Sequence, residues 1–263
     1  AKSVLFLPTY GHQLNSESHE RLWRRIVHNY SEREFTYPKD KVPAIAGIVK
    51  AFATTLHDVP ILGLWSRSFA RDLGWLRSGL RPAKSIISNL PTWTWLKSQT
   101  TVLYMSDSYK GPLQTNLQLF KWAVQWSGAP YVSQVKLAEA HVNGTVRQLQ
   151  LTSFPEGSRY SPPYLRVPGE DQTYTSRTNL PGRCAGQLDA VSTTISGTYL
   201  CLLLFSTVRG MDTGALGDTV ETFLIIEPVD LRDSTRYRRI GSARIWGESP
   251  TFDSTETRSL ILV

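Results

Sequence analysis

Between residues 18 and 31 the chain reads SHERLWRRIVHNYS, and the apolar residues Leu22, Trp23, Ile26, Val27 and Tyr30 recur three and four positions apart among charged ones. That period places them on one side of an α-helix. A second helix follows in PKDKVPAIAGIVKAFATTL, with Asp40 in the N-cap position, Pro43 in the first turn, and Val42, Ile45, Val49, Phe52 and Leu56 as one stripe. A third begins after Ser66 and packs Phe69, Leu73 and Leu76. Three amphipathic helices require a shared apolar partner.

Near residue 89 the period changes to two. NLPTWTWLK reads as a strand with Trp93 and Trp95 on one face, and LQLFKWAVQW alternates Phe120, Trp122, Val124 and Trp126 against Leu119, Lys121, Ala123 and Gln125. Further strands are predicted in TVLYM, YVSQVKLAEAHV, TVRQLQLTSF, GTYLCLLLFSTV, ETFLIIEPV and YRRIGSARIW. Asn143-Gly144 lies between two such runs and predicts a tight hairpin. The expected fold is α+β, with N-terminal amphipathic helices packed on a large antiparallel β-sandwich or barrel. We expect one domain over 1–263, mainly helical over 1–88 and mainly strand over 89–263. Its long loop at 157–186 is rich in Pro, Gly and hydroxyl residues.

Charge adds an asymmetry. The formal net charge is +7, and residues 1–100 hold 14 Lys or Arg against 7 Asp or Glu, whereas 101–263 hold 15 of each. Arg21, Arg24 and Arg25 read as the solvated face of a helix, and no zinc-finger spacing, RRM signature or long basic run accompanies them, so no nucleic-acid partner is expected. Only two cysteines are present, and Cys201 sits in an apolar run that predicts a buried free thiol. The apolar stretch at the N-terminus is too short for a secretory signal, and no segment is long enough for a membrane span. The expected location is cytoplasmic.

Motifs for phosphate cradling, zinc ligation or an activated serine are missing, so neither a cofactor nor a metal is predicted. The five histidines are scattered, with His19 and His28 expected on the exposed side of the first helix. One polar pair stands out: Glu139 and His141, two apart on a predicted strand, share a face and can polarise a carbonyl or move a proton. A surface pair near a turn is the plainer alternative. Asp107 and Asp189 read as turn or strand-end residues. Aromatics are the abundant chemistry, with 8 Trp, 11 Tyr and 9 Phe. Same-face indoles either fill a core or line an apolar pocket. The candidate lining is Trp65, Trp93, Trp95, Tyr104, Trp122 and Trp126.

Three stretches, LWRRIVHNYSEREFTYPKDKVPAIAGIVKAF, ILGLWSRSFARDLGWLR and LPTWTWLK, occur in an order that resembles the region after the signature portion of fungal HET (heterokaryon incompatibility) proteins. CLLLF, FLIIEP and YRRIG follow in the order of that family's closing strands, so the resemblance spans roughly residues 20–247. It departs at Gly74, where the family tends to have Leu, and in TWTW for SWSW; the HET signature motifs are absent. The resemblance implies two readings. One is a cofactor-independent enzyme of fungal secondary metabolism, folding an apolar terpenoid or polyketide intermediate in an aromatic pocket for ring formation of intramolecular Diels-Alder type. There Glu139 or His141 supplies a polar contact. The other is a non-catalytic regulatory or interaction module of an incompatibility protein. Oligomeric state is open on either reading.

Overall fold

The structure is a computed structural model, and it describes residues 16–78, 89–98, 100–108, 112–153, 164–167, 184–190, 195–208, 219–253 and 256–263. Helix α1 (Ser16–Ser31) buries Trp23, Ile26, Val27 and Tyr30 of the predicted stripe, with Leu22 partly buried; Arg24, expected on the solvated face, is instead buried and held 3.4 Å from Glu20 one turn earlier. A short 3-10 turn leads into α2 (Lys41–Leu56), which buries Val42, Ile45, Val49 and Phe52. Asp40 stands at its N-cap without a side-chain capping bond, and His57 ends it in the left-handed conformation. Next come β1 (Pro60–Ile61) and β2 (Leu64–Trp65), a hairpin turned by Leu62 and Gly63 at φ 48° and 87°.

The third helix is shorter than its sequence suggests. Helix α3 spans only Phe69–Asp72, and Leu76 lies in strand β3 (Trp75–Arg77), which pairs with β4 (Val102–Tyr104). Between them, the stretch holding Trp93 and Trp95 is no strand. Trp93 lies in a turn and Trp95 begins a 3-10 helix (Trp95–Lys97), capped by Thr94, whose Oγ1 accepts from Leu96 N. Two buried indoles two positions apart, one in a turn and one opening a three-residue helix, imitate strand alternation over that length.

The remaining strands are β5 (Gln114–Thr115), β6 (Leu117–Trp126), β7 (Val135–Ser153), β8 (Tyr164–Arg166), β9 (Cys184–Leu188), β10 (Ser196–Val208), β11 (Thr219–Asp230), β12 (Asp233–Gly247) and β13 (Glu256–Leu262). Their pairings close on themselves. β7 meets β10, β10 meets β11, β11 meets β12, β12 meets β9, β9 meets β8, and β8 returns to β7, all antiparallel. Each of these six strands contributes to one buried cluster, through Leu151, Leu165, Cys184, Cys201, Phe223 and Ala243. The fold is therefore α+β, as the change of period predicts. One pair departs from antiparallel order: β13 runs parallel to β12 while pairing antiparallel with β7. Both cysteines are free and buried, and burial drives the Cys201 thiol well above its usual range. Of the predicted loop at 157–186, residues 164–166 form β8 and 184–186 open β9; most of the rest lies outside the described residues.

Asn143-Gly144 makes no hairpin. Both residues lie inside the 19-residue β7, at the point where its partners change: Gly144 faces Leu117 of β6, and two residues on Val146 faces Leu202 of β10. A Cβ at residue 144 would lie 2.7 Å from Leu117 Cδ1 and 2.8 Å from Leu202 Cδ1, so the glycine serves close approach. β6 keeps its predicted inner face only beyond a bulge. That bulge, between Leu119 and Lys121, shifts the alternation, so Leu117 and Leu119 join Val124 and Trp126 against the core and Phe120 turns outward, while Phe120 and Trp122 stay 49% and 37% exposed.

The larger buried cluster joins both halves of the chain, running from Trp23 of α1 through Leu224 of β11 to Leu262 of β13. A buried guanidinium pins the two together. Arg239 of β12 donates to the carbonyls of Leu73 and Trp75, to both Asp189 carboxylate oxygens and to Ser242 Oγ, with its plane 3.5 Å from the Trp75 ring centroid. This satisfies the fork of donors that burial would otherwise orphan.

Candidate functional site

The β1–β2 hairpin turn is buried, and it gathers the residues that carry the sequence motifs. The Gly63 carbonyl accepts from Trp95 Nε1 at 2.7 Å and Trp23 Nε1 at 3.3 Å, and the Leu62 carbonyl accepts from Thr94 Oγ1 at 2.5 Å. Trp93 donates to Leu262 O at 3.2 Å, and Trp75 donates to Trp93 O at 2.9 Å. Tyr131, beyond the end of β6, brings its hydroxyl beside the backbone of Gly63 and Leu62, and burial pushes its pKa up to about 12. Trp65 packs edge-on against Trp23 at 5.1 Å and near Phe52 at 6.4 Å. Edge-to-face packing of this kind fills space efficiently.

Four of the six predicted pocket residues belong to this packing. Trp93 and Trp95 are 0% exposed, and Trp65 and Tyr104 are buried beside them. They form the seam between helices and sheet, where Trp95 Nε1 meets the Gly63 carbonyl of the hairpin turn and Trp93 Nε1 meets the Leu262 carbonyl of β13, while the buried Trp65 Nε1 finds no hydrogen-bond partner among the described residues. Their abundance reflects core filling. The other two, Trp122 and Trp126, lie on β6: Trp122 at the solvent edge, Trp126 half-buried against Tyr131 at 5.2 Å.

Glu139 and His141 share a face of β7, as their spacing predicts. The Glu139 carboxylate lies 3.6 Å from His141 Nε2 and 2.7 Å from the Arg236 guanidinium of β12. Register explains the grouping: His141 stands opposite Lys121 on β6 and Ile261 on β13, and Ile261 stands opposite Arg236. Phe120, released outward by the bulge, sets its ring edge-on to His141 at 5.9 Å. The result is a histidine held between a carboxylate and an aromatic ring, flanked by two cations, on the outer face of the sheet. The site can exchange a proton or hold an anion. Sequence spacing found Glu139 and His141; Arg236, Lys121 and Phe120 needed the strand register and the bulge.

Other perturbed groups sit inside the fold. Asp72 accepts from Trp65 N at 2.9 Å and Ser68 Oγ at 2.8 Å; burial raises its pKa to about 7 against those bonds. Lys41 donates to Ser98 O and lies 5.5 Å from the Trp95 ring centroid, and burial lowers its pKa to about 8. Both hold structural backbone. His28, expected on the solvent side of α1, lies at its boundary, with Nε2 3.5 Å from Glu32 and Nδ1 3.1 Å from Val102 O on β4. Asp189 ends β9 as expected and serves Arg239.

Among the described residues no group of three or more His, Cys, Asp or Glu is placed to hold a metal ion, and no helix is long and apolar enough to cross a membrane. The class these features define is an α+β protein with a closed strand circuit and a polar cluster beside an exposed edge strand. Comparison with protein-family models, curated proteins and solved structures finds no match.

Proposed function

We propose that this chain is a non-catalytic interaction module, of the regulatory kind that the resemblance to HET-type incompatibility proteins implies. One observation carries the reading: the indoles that an apolar-ligand pocket would need, Trp65, Trp93 and Trp95, are buried in the seam between helices and sheet. Exposed aromatic surface is instead found at Phe120 and Trp122, on a strand edge, where one protein meets another. The test is incubation of the purified chain with apolar terpenoid and polyketide fractions, followed by mass spectrometry. No new species is expected. Products of unchanged mass, lost in a His141→Ala variant, would overturn the module.

A second reading, a cofactor-independent ring-forming enzyme acting on an apolar terpenoid or polyketide, draws on the Glu139–His141 pair and the Phe120 ring beside it. The same incubation decides between the two. Conversion that survives Glu139→Gln and His141→Ala alike removes this cluster from the chemistry.

A further inference from the structure

We propose that β6 receives an extended, acidic partner segment as an added antiparallel strand, a proposal that rests on the interaction-module reading and names the surface and the partner chemistry. Among the described residues β6 pairs with β7 alone, so its other edge presents unpaired backbone N–H and C=O groups. Such edges are commonly kept short, broken by proline or a bulge, or guarded by a charged side chain, and β6 carries a bulge and Lys121. β6 runs for 10 residues, LQLFKWAVQW, without a proline.

Its side chains flank the edge from both sides. Trp122 stands opposite Ala140, which is fully buried, so the indole lies on the inner face at the rim. Phe120 packs on His141 and lies on the outer face. A strand laid along this edge would have an aromatic ring beside it on each face, burying surface that is now open. Cross-strand neighbours of this kind are the unit from which sheets gain stability.

Charge selects the partner. Lys121, between the two aromatics, is exposed and has no acidic partner among the described residues. A lone lysine on an edge discourages a basic strand and favours one with a carboxylate at the facing position. A second copy of this chain is a poor fit, because LQLFKWAVQW contains no acid. Antiparallel self-pairing centred on Lys121 opposes two ammonium groups, and centred on Trp122 it sets Lys121 against Ala123. The segment that fits alternates apolar residues, on the inner face beside Trp122, with acidic ones on the outer face that Lys121 shares with Phe120.

The probe is a capped seven-residue peptide alternating valine and glutamate, with a valine–lysine peptide as control, each fluorescently labelled and followed by anisotropy. The glutamate peptide is expected to bind at least about fivefold more tightly than the lysine peptide. Lys121→Glu is expected to invert that order, and Trp122→Ala to weaken both by a similar factor. Both substitutions are at exposed positions, and circular dichroism confirms the fold. Failure of the glutamate peptide to bind, or binding indifferent to Lys121→Glu, overturns the proposal. So does dimerisation of the chain alone in sedimentation, lost in Trp122→Ala, which would assign the edge to a second copy. None of these results produces a mass-neutral product, so failure here is distinct from failure of the module reading.

Discussion

Replacing Gly63 by alanine tests whether the buried hairpin turn organises the seam between helices and sheet. Residue 63 adopts φ 87°, a left-handed conformation that costs a residue with a Cβ about 1–2 kcal/mol. The added methyl would lie 2.6 Å from Trp95 Nε1, 3.0 Å from Trp95 Cε2 and 3.3 Å from Leu96 Cγ. Overpacking of a filled core costs a further ~1–3 kcal/mol. Moving the indole away also weakens its 2.7 Å bond to the Gly63 carbonyl, worth about 1 kcal/mol. The sum is about 3–6 kcal/mol. Equilibrium urea unfolding followed by tryptophan fluorescence reads this as a midpoint lowered by roughly 1–2 M at unchanged slope. The clash is with one named side chain, so a double-mutant cycle sharpens the test. In the Trp95→Phe background the same glycine substitution is expected to cost about 1–2 kcal/mol less. A loss under about 1 kcal/mol, or strict additivity in the cycle, refutes the assignment of this turn as the hub.

Other expectations follow from the same interior. Asp72 has a folded pKa of about 7 against 3.8 unfolded, so its contribution to stability is complete below 3.8 and is lost as pH rises through 7. Lys41, lowered from 10.5 to about 8, has the opposite sign: its contribution is complete above 10.5 and is lost as pH falls through 8. Urea unfolding across pH 4–10 is expected to show Asp72→Asn flattening the acidic arm and Lys41→Met the alkaline arm; parallel curves for either variant would contradict it. Trp93→Ala should cost ~3–5 kcal/mol and Trp122→Ala about 1 kcal/mol or less, because only the first leaves a sealed cavity. Equal losses in thermal denaturation would contradict the core and edge assignments. Arg239→Met orphans the Leu73 and Trp75 carbonyls and should destabilise by ~3–5 kcal/mol in the same assay, a value near zero refuting the pin.

Long periodic elements could be read from sequence because one face of each meets one partner. The stripe of α1 and α2 packs as its spacing predicts, and LQLFKWAVQW matches β6 residue for residue. Where a segment serves two partners, local pattern misleads. Gly144 looked like a turn because Asn-Gly suits one, yet it lies where β7 passes from β6 to β10, a fact written only in residues 117 and 202. Trp93 and Trp95 looked like strand neighbours because a single 3-10 turn and two strand residues have the same short spacing. The polar cluster was half legible. Glu139 and His141 sit two apart on one strand, whereas Arg236 reaches Glu139 only through the parallel register of β12 and β13. No local rule foretells a parallel pair between strands that follow one another so closely in sequence, or the bulge that turns Phe120 outward.

β13 closes the fold over a very long stretch of chain. The Val263 carbonyl accepts from Thr92 N at 3.2 Å and Thr92 Oγ1 at 2.8 Å, and Leu262 accepts the Trp93 indole. The tryptophan-rich turn thus waits for backbone made some 170 residues later. During synthesis the Thr92 and Trp93 side of that turn lacks its partners until residues 262 and 263 leave the ribosome. The chain's most vulnerable interval is its time as a nascent polypeptide, when a chaperone has the most to shield.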